Sequence, residues 1–302
     1  MKEKVIIISG PTGIGKTKLS LEIAKKLNAE IISADSMQIY RRMDIGTAKI
    51  MPDEMESIPH HLIDIVDPND SYSVQNFKND AYNLIEEIIN RGKTPLIVGG
   101  TGLYIDSLMF NYSFSDVKPN YELRKELESE FDQSPAALLE KLQEIDKEKY
   151  HFLGIKDKKK VIRALEVFYS SGKTISYDRE DKNDKYKFYL FVLTDNRDKI
   201  YQNINKRVDL MLEQGLLNEV KSLIDSGVDR NSQSMKAIGY REVLEYFDGS
   251  IDYLEMVEKL KQNSRRYAKR QLTWFRRNPH AKWIDKSKKE EEIVNYILKE
   301  IE

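Results

Sequence analysis

Residues Gly10-Pro11-Thr12-Gly13-Ile14-Gly15-Lys16-Thr17 place glycines, a lysine and a hydroxyl at the spacing of a loop that grips phosphates. Such a loop needs glycine because its backbone wraps closely around oxyanions, aiming amide N–H groups and the start of the next helix at them. Lys16 would bring a mobile positive charge to the terminal phosphate, and the Thr17 hydroxyl is the expected Mg²⁺ ligand. The ligand is therefore expected to carry a diphosphate or triphosphate. A nucleoside triphosphate is the default, but an ATPase usually holds Mg²⁺ with an acid at the end of a buried strand. Asp35 and Asp195 are the acids that could serve, and neither follows a long apolar run.

Two further loops carry reactive groups. In Ser33-Ala-Asp-Ser-Met-Gln-Ile-Tyr40, Asp35 suits either a metal or a proton. Ser36 and Gln38 add hydrogen-bonding groups, and glutamine suits an adenine edge. The same Asp and Ser would equally cap a helix. In Val98-Gly-Gly-Thr-Gly-Leu-Tyr104, Thr101 could bond a substrate, or the segment could be only a tight strand-to-helix turn.

The elements around these loops read as alternating strands and helices. Val5 to Ser9 is a short β-branched run ending at a glycine, as a buried strand does. Lys16 to Asn28 repeats Leu19, Ile23 and Leu27 at helical spacing. Glu30 to Ser33 and Pro95 to Val98 are further strands, and Val74 to Asn90 is a helix stopped by Gly92. This alternation predicts an α/β fold: a parallel sheet with helices on both faces, of the kind that carries phosphate loops. The three loops then share the carboxyl edge of the sheet, where ligands of open α/β folds bind. Between about 115 and 185 the rhythm changes to helices, with starts at Ser134-Pro135 and a stop at Gly172. Tyr177 to Lys187 reads as polar loop, and Tyr189 to Leu193 resumes the sheet. The expected organisation is a core of 1–114 and 186–302 interrupted by a helical insertion, 115–185. After Arg197 the chain reads as helix to about Arg277.

Composition excludes several chemistries. The chain of 302 residues has no cysteine, so disulfides, thiolate zinc sites and cysteine nucleophiles are absent together. The apolar run Val5 to Ile8 is too short for a signal core or a membrane span, which predicts a cytoplasmic protein with no membrane partner. Net charge is −1, so any electrostatic case rests on local clusters. One cluster stands out. From Lys261 to Ile284 there are eight basic residues and no acidic one. Gln262, Arg266, Lys269, Thr273 and Arg277 share a helical face, with Leu260, Tyr267 and Trp274 turned elsewhere. Such a strip neutralises nucleic-acid phosphates. Lys156 to Arg163 forms a second basic cluster, for which a solvated face is the competing explanation. His60 and His61 lack metal-ligand spacing, and Ser171-Gly-Lys-Thr174 imitates the phosphate loop only as a helix end.

The three loops, together with Gly46-Thr-Ala-Lys49, His60-His-Leu-Ile-Asp64, Arg163-Ala-Leu-Glu-Val167, Ala237-Ile-Gly-Tyr-Arg-Glu242 and Arg266-Tyr-Ala-Lys-Arg-Gln-Leu-Thr-Trp-Phe-Arg276, resemble the tRNA dimethylallyltransferases. These segments span nearly the whole chain. Ile14 departs from the family's usual Ser, Ile50 from its Pro, and Gly154-Ile-Lys-Asp157 from its His-Pro-Asn-Asp. The resemblance implies transfer of a dimethylallyl group from dimethylallyl diphosphate to the exocyclic amine of an adenosine beside the tRNA anticodon, by a monomeric enzyme with Mg²⁺. It implies that residues 10–17 and Arg207 hold the diphosphate, and that Thr17 holds the metal. Asp35 would act as general base, with Lys16 and Thr101 assisting catalysis. Asp35, Ser36, Met37, Gln38, Thr101 and Arg124 would touch tRNA, together with Arg266, Lys269 and Arg270 of the basic strip. The insertion would clamp the anticodon stem. The rival readings are a P-loop nucleotide kinase, an enzyme that prenylates free adenine nucleotides, and an RNA-binding protein that uses the loop as a switch.

Overall fold

A computed structural model describes residues 2–112, 117, 120–153, 157–174 and 179–302. It divides into two compact units, Met1–Met109 with Lys182–Glu302, and Phe110–Asp181. Both divisions fall a few residues N-terminal to the bounds of 115 and 185 drawn from the sequence.

The larger unit opens with strand β1 (Lys4–Ser9), helix α1 (Lys16–Leu27) and strand β2 (Ala29–Ser33). There follow β3 (His60–His61), α2 (Val74–Asn90), β4 (Thr94–Gly99) and α3 (Gly102–Met109). In the smaller unit are β5 (Phe110–Tyr112), α4 (Tyr121–Gln133), α5 (Pro135–Ile145), α6 (Lys147–Phe152), α7 (Lys158–Ser171) and β6 (Arg179–Lys182). The chain then returns through β7 (Lys187–Thr194), α8 (Arg197–Glu213), α9 (Leu216–Asp225), α10 (Tyr240–Phe247), α11 (Tyr253–Phe275), β8 (Ala281–Asp285) and α12 (Glu290–Ile301).

Six strands form one sheet in the order β3-β2-β4-β1-β7-β8, every pair parallel. The central strands are buried on both faces, which is why Val5 to Ile8 and Leu190 to Leu193 read as unbroken apolar runs. The core beneath α1 and α12 joins Ile6, Ile8, Leu19 and Ile23 to Ile293, Val294 and Ile297. Because β1 lies between β4 and β7, the loops after β1, β4 and β2 emerge side by side at one sheet edge. That edge is the switch-point crevice of a doubly wound fold.

In the smaller unit, α4, α5 and α7 bury Leu127, Phe131, Leu138, Leu142, Val161 and Leu165 against one another. The Ser134 hydroxyl accepts a bond from the Ala137 amide and Pro135 occupies the first turn of α5, as the sequence predicts. Gly172, at φ 67°, ends α7, so Ser171 to Thr174 is a helix end.

Four strands escaped the sequence reading: the two- and three-residue strands β3 and β5, which are too short to show an alternation, and β6 and β8. β6 falls where a polar loop was expected over Tyr177 to Lys187, of which 177 and 178 lie outside the described residues; β6 pairs with β5 as a two-stranded ribbon. Its sequence, Arg-Glu-Asp-Lys, has no apolar alternation to reveal it. β8 was missed because Ala281-Lys-Trp-Ile-Asp is half-exposed at the sheet edge and carries charges.

Candidate active site

β1 delivers the chain into the phosphate loop, and α1 begins at Lys16 immediately after it. Gly13 and Gly15 take φ values of 76° and 86°, a backbone that side-chain-bearing residues adopt at a penalty. Lys16 folds back over the loop and donates to the carbonyls of Gly10 (3.0 Å) and Pro11 (2.9 Å). Thr12, Gly13, Gly15, Lys16 and Thr17 line a cavity of about 610 Å³. Gly10, Pro11 and Ile14 stand behind that wall: the first two hold Lys16, and Ile14 is buried in the core.

The loop after β2 forms the facing wall. Asp35, Ser36, Met37 and Gln38 all line the cavity. One Asp35 oxygen accepts the Met37 amide at 2.9 Å, so the carboxylate also caps its own turn. The Gln38 amide is held by the carbonyls of Thr47 and Ala48 at 3.4 and 3.3 Å. Thr101 sits one layer behind. Its hydroxyl accepts the Ser36 amide at 3.1 Å, tying the loop after β4 to the loop after β2.

Helix α8 packs on the phosphate loop, with Ile204 3.2 Å from where a Cβ on Gly13 would lie. One turn on, Arg207 enters the cavity and donates to the Thr47 carbonyl at 3.2 Å. Its Nε is buried with no hydrogen-bond partner. A guanidinium on a cavity wall whose donors are not all satisfied within the protein suits an anion site.

These charges feel one another. Burial and the neighbouring Arg207 pull the Lys16 ammonium down to about 8, opposed by Asp35. Burial lowers Arg207 as well, and Asp35 opposes that shift too. Asp35 is thus the carboxylate beside two desolvated cations. Their spare positive charge suits a polyanion.

Helix α11 supplies a further wall through Asn263, Ser264, Arg266, Tyr267, Arg270 and Gln271, and Lys236 and Arg241 also line the cavity. The sequence reading missed Tyr267 and Gln271 as site residues. Gln271 accepts the Thr12 amide and donates to the Gly100 carbonyl, both at 2.9 Å, bracing the phosphate loop against the loop after β4. A Cβ on Gly100 would lie 2.1 Å from its Nε2, so this strut fits only because residue 100 has no side chain. Tyr267 lies against Thr101 and Gln271, and burial with the nearby Asp35 pushes its hydroxyl up to about 12. It therefore stays protonated. The signal was present in the spacing of 263, 267, 270 and 271, but basic residues on the same helix drew attention to the adjoining face.

The basic strip divides in the structure. Arg266 and Arg270 border the cavity, Arg270 with its guanidinium 5.5 Å from the Tyr267 ring centre. Lys269 is exposed and off the cavity wall. Lys261 pairs with Asp209 and Lys282 with Glu300, so acids distant in sequence neutralise part of the run. Arg124, in the smaller unit, pairs at 2.9 Å with the fully buried Glu166, which also holds Arg163 at 2.6 Å. In the second basic cluster Lys158 pairs with Asp132; Lys156 lies outside the described residues.

Asp195 is not at the cavity; it pairs with Lys199 at 2.8 Å. His61 bonds the buried Glu30, and among the described residues no cluster of three His, Asp or Glu could hold a metal by itself. Thr17 and Asp35 do line the same cavity, which suits an ion that keeps most of its waters and takes other ligands from a phosphorylated substrate.

A parallel doubly wound sheet with a phosphate loop after its central strand places the chain in the P-loop class of α/β proteins. Comparison with known proteins narrows this. The model of the IPP transferase family matches residues 38–278. The protein named tRNA dimethylallyltransferase in Bacillus subtilis is 49% identical over 310 residues, covering 100% of this chain and 98% of its own. Its namesake from Bacillus mycoides is 49% identical over 301 residues, covering 98% and 95%. The solved full-length tRNA isopentenylpyrophosphate transferase of Bacillus halodurans superposes with a TM-score of 0.75 at 45% identity, over 99% of this chain and 97% of that one. A eukaryotic dimethylallyltransferase solved while acting on tRNA gives 0.80 at 31% identity, over 94% and 74%. The chain belongs to the IPP transferase family.

Proposed function

We propose that this protein transfers a dimethylallyl group from dimethylallyl diphosphate to the N6 amine of the adenosine next to the anticodon of tRNA. The observation that carries the reading is one cavity that brings Lys16, Arg207 and Asp35 together and is bordered by Arg266 and Arg270. The relatives named for this activity match along nearly their whole length.

The chemistry asks little of the protein beyond charge and position. The donor's diphosphate lies on the phosphate loop, with Lys16 and the Arg207 guanidinium beside its oxygens. As the allylic C–O bond breaks, negative charge grows on that diphosphate, and fixed cations in a desolvated site stabilise it. Mg²⁺ held by Thr17 would neutralise further charge on the leaving group. The amine attacks the allylic carbon, forming the C–N bond. Asp35 then takes the amine proton, as a general base positioned by its own turn. Thr101 acts by holding Ser36 and Tyr267 in place. The target base must leave its stack to reach Asp35, at a penalty of a few kcal/mol. Contacts of Arg266, Lys269 and Arg270 with RNA phosphates offset that penalty. The smaller unit, with Arg124, provides a second grip on the anticodon stem.

A nucleotide kinase would use the same loop to move a phosphoryl group, and no such transfer is part of this reading. The test is to treat unmodified tRNA with dimethylallyl diphosphate, digest it and identify the altered nucleoside. N6-dimethylallyladenosine from the anticodon loop is expected; modification of another nucleoside, or none, would overturn the proposal. No helix among the described residues is long and apolar enough to cross a membrane.

A further inference from the structure

Between β2 and β3 the chain makes a compressed loop whose residues Gly46, Thr47 and Ala48 line the cavity. Ala48 is held at φ 44°. The Thr47 carbonyl receives both Arg207 and Gln38. The position of this loop therefore decides where two of the site's polar side chains point.

What fixes the loop is a carboxylate outside the cavity wall. Glu219, on α9, accepts the amides of Asp44 at 2.8 Å and Ile45 at 2.7 Å on one oxygen. Its other oxygen accepts the Gly46 amide at 3.0 Å and the Tyr240 hydroxyl at 2.6 Å. Four donors thus occupy the lone-pair sites that a carboxylate offers. Charge-assisted bonds of this kind are roughly twice as strong as neutral ones. Tyr240 is fully buried, and its ring lies so near Gly46 that a Cβ there would come within 2.5 Å. On the loop's other side, the buried Lys49 ammonium bridges Asp44 and the Tyr40 carbonyl.

We propose that Glu219, seconded by Tyr240, is a positioning residue for the phosphorylated substrate: it clamps residues 44–46 so that the Thr47 carbonyl aims Arg207 at the anion. The proposal rests on the reading of Arg207 as a diphosphate ligand. Substituting Glu219→Gln leaves a single acceptor oxygen and places an amide NH₂ against backbone donors. The amide turned toward Oε2's place costs the Asp44 and Ile45 bonds, and turned toward Oε1's place costs the Gly46 bond, so either way the loop loses a backbone anchor and relaxes. Tyr240→Phe removes only the hydroxyl contact and keeps the ring against Gly46.

The experiment is calorimetric titration of the intact protein with inorganic diphosphate in the presence of Mg²⁺, alongside thermal melting. Ile297→Val, on the core-facing side of α12 and not on the cavity wall, serves as a control for lost stability alone. The expected result is diphosphate affinity weakened on the order of 10-fold by Glu219→Gln and roughly 2- to 5-fold by Tyr240→Phe, from the bonds each removes. Ile297→Val should lower the melting temperature without changing affinity. If Glu219→Gln does not fold, Tyr240→Phe decides. Wild-type affinity in the folded variants, or weakening no greater than the control's, would overturn the inference. Because the probe is diphosphate, this outcome is independent of whether the wild-type chain prenylates tRNA.

Discussion

Lys16 offers a quantitative handle on the site. In the free protein its ammonium titrates near pH 8, depressed mainly by burial and secondarily by Arg207. A diphosphate arriving beside it favours the charged form, so the ligand selects protonated Lys16. Apparent affinity then scales with the protonated fraction, about 0.9 at pH 7 and about 0.1 at pH 9, given this value. Binding of a non-reactive dimethylallyl diphosphate analogue should weaken roughly tenfold between those pH values. Lys16→Arg cannot deprotonate in this range, so its weaker binding should be flat and corrects for ionisation of the ligand itself. Stability must move the opposite way. The folded value lies below the unfolded one, so the unfolded chain holds more protons between about pH 8 and 10.5, and stability rises with pH across that window. Lys16→Met should therefore stabilise the empty protein at pH 7, by on the order of 3 kcal/mol at most, with the gain fading toward pH 10.5. Titration calorimetry and urea melts over pH 7–10 make both measurements. Affinity independent of pH in the wild type, or a Lys16→Met variant less stable at pH 7, would refute the argument.

Asp35→Asn keeps an oxygen for the Met37 amide but cannot take a proton; prenyl transfer should fall on the order of a hundredfold while tRNA binding by gel shift persists, and unchanged turnover would remove Asp35 from catalysis. Arg266→Ala and Arg270→Ala should each weaken binding of an anticodon stem-loop and lower the slope of log affinity against log salt by roughly 0.7–0.9; an unchanged slope would mean no phosphate contact. At the opposite end of the sheet, the Glu30 carboxylate is buried, which opposes its charge, yet bonds from Arg91, His61 and Lys93 hold it down to about 2. Its contribution is complete above about pH 4.5 and is lost as pH falls toward 2, so Glu30→Gln should flatten that part of the acid-unfolding curve and destabilise the protein by roughly 2 kcal/mol at pH 7.

The sheet's central strands and the phosphate loop were legible because burial on both faces leaves unbroken apolar runs, and because a backbone wrapped around phosphate admits little but glycine. Asp35 was legible by its place after β2, although β4 lies between that strand and β1. Residues that act through tertiary contact were not legible. Gln271 bonds across 259 residues of chain to Thr12, and Glu219 bonds across 173 to Gly46. Nothing local distinguishes either from a solvated helix residue. Thr101 was legible as a polar group at the sheet edge, but its tie to the Ser36 amide and to Tyr267, which comes from tertiary contact, was not. The charge run from Lys261 to Ile284 was read as free of acids, but partners remote in sequence, Asp209 and Glu300, take Lys261 on α11 and Lys282 on β8. The pairing that makes β6 and β8 strands likewise comes from neighbours, not from their own charged sequences.

On this account the loop at 10–17 holds a leaving group, and the bond that breaks joins carbon to oxygen. The most direct measurement uses dimethylallyl diphosphate labelled with ¹⁴C in the prenyl group and ³²P in the terminal phosphate, offered to tRNA and, separately, to AMP. The account predicts ¹⁴C incorporated into tRNA alone, with all ³²P released as diphosphate. Appearance of ³²P in either acceptor, or of ¹⁴C in AMP but not in tRNA, would contradict it.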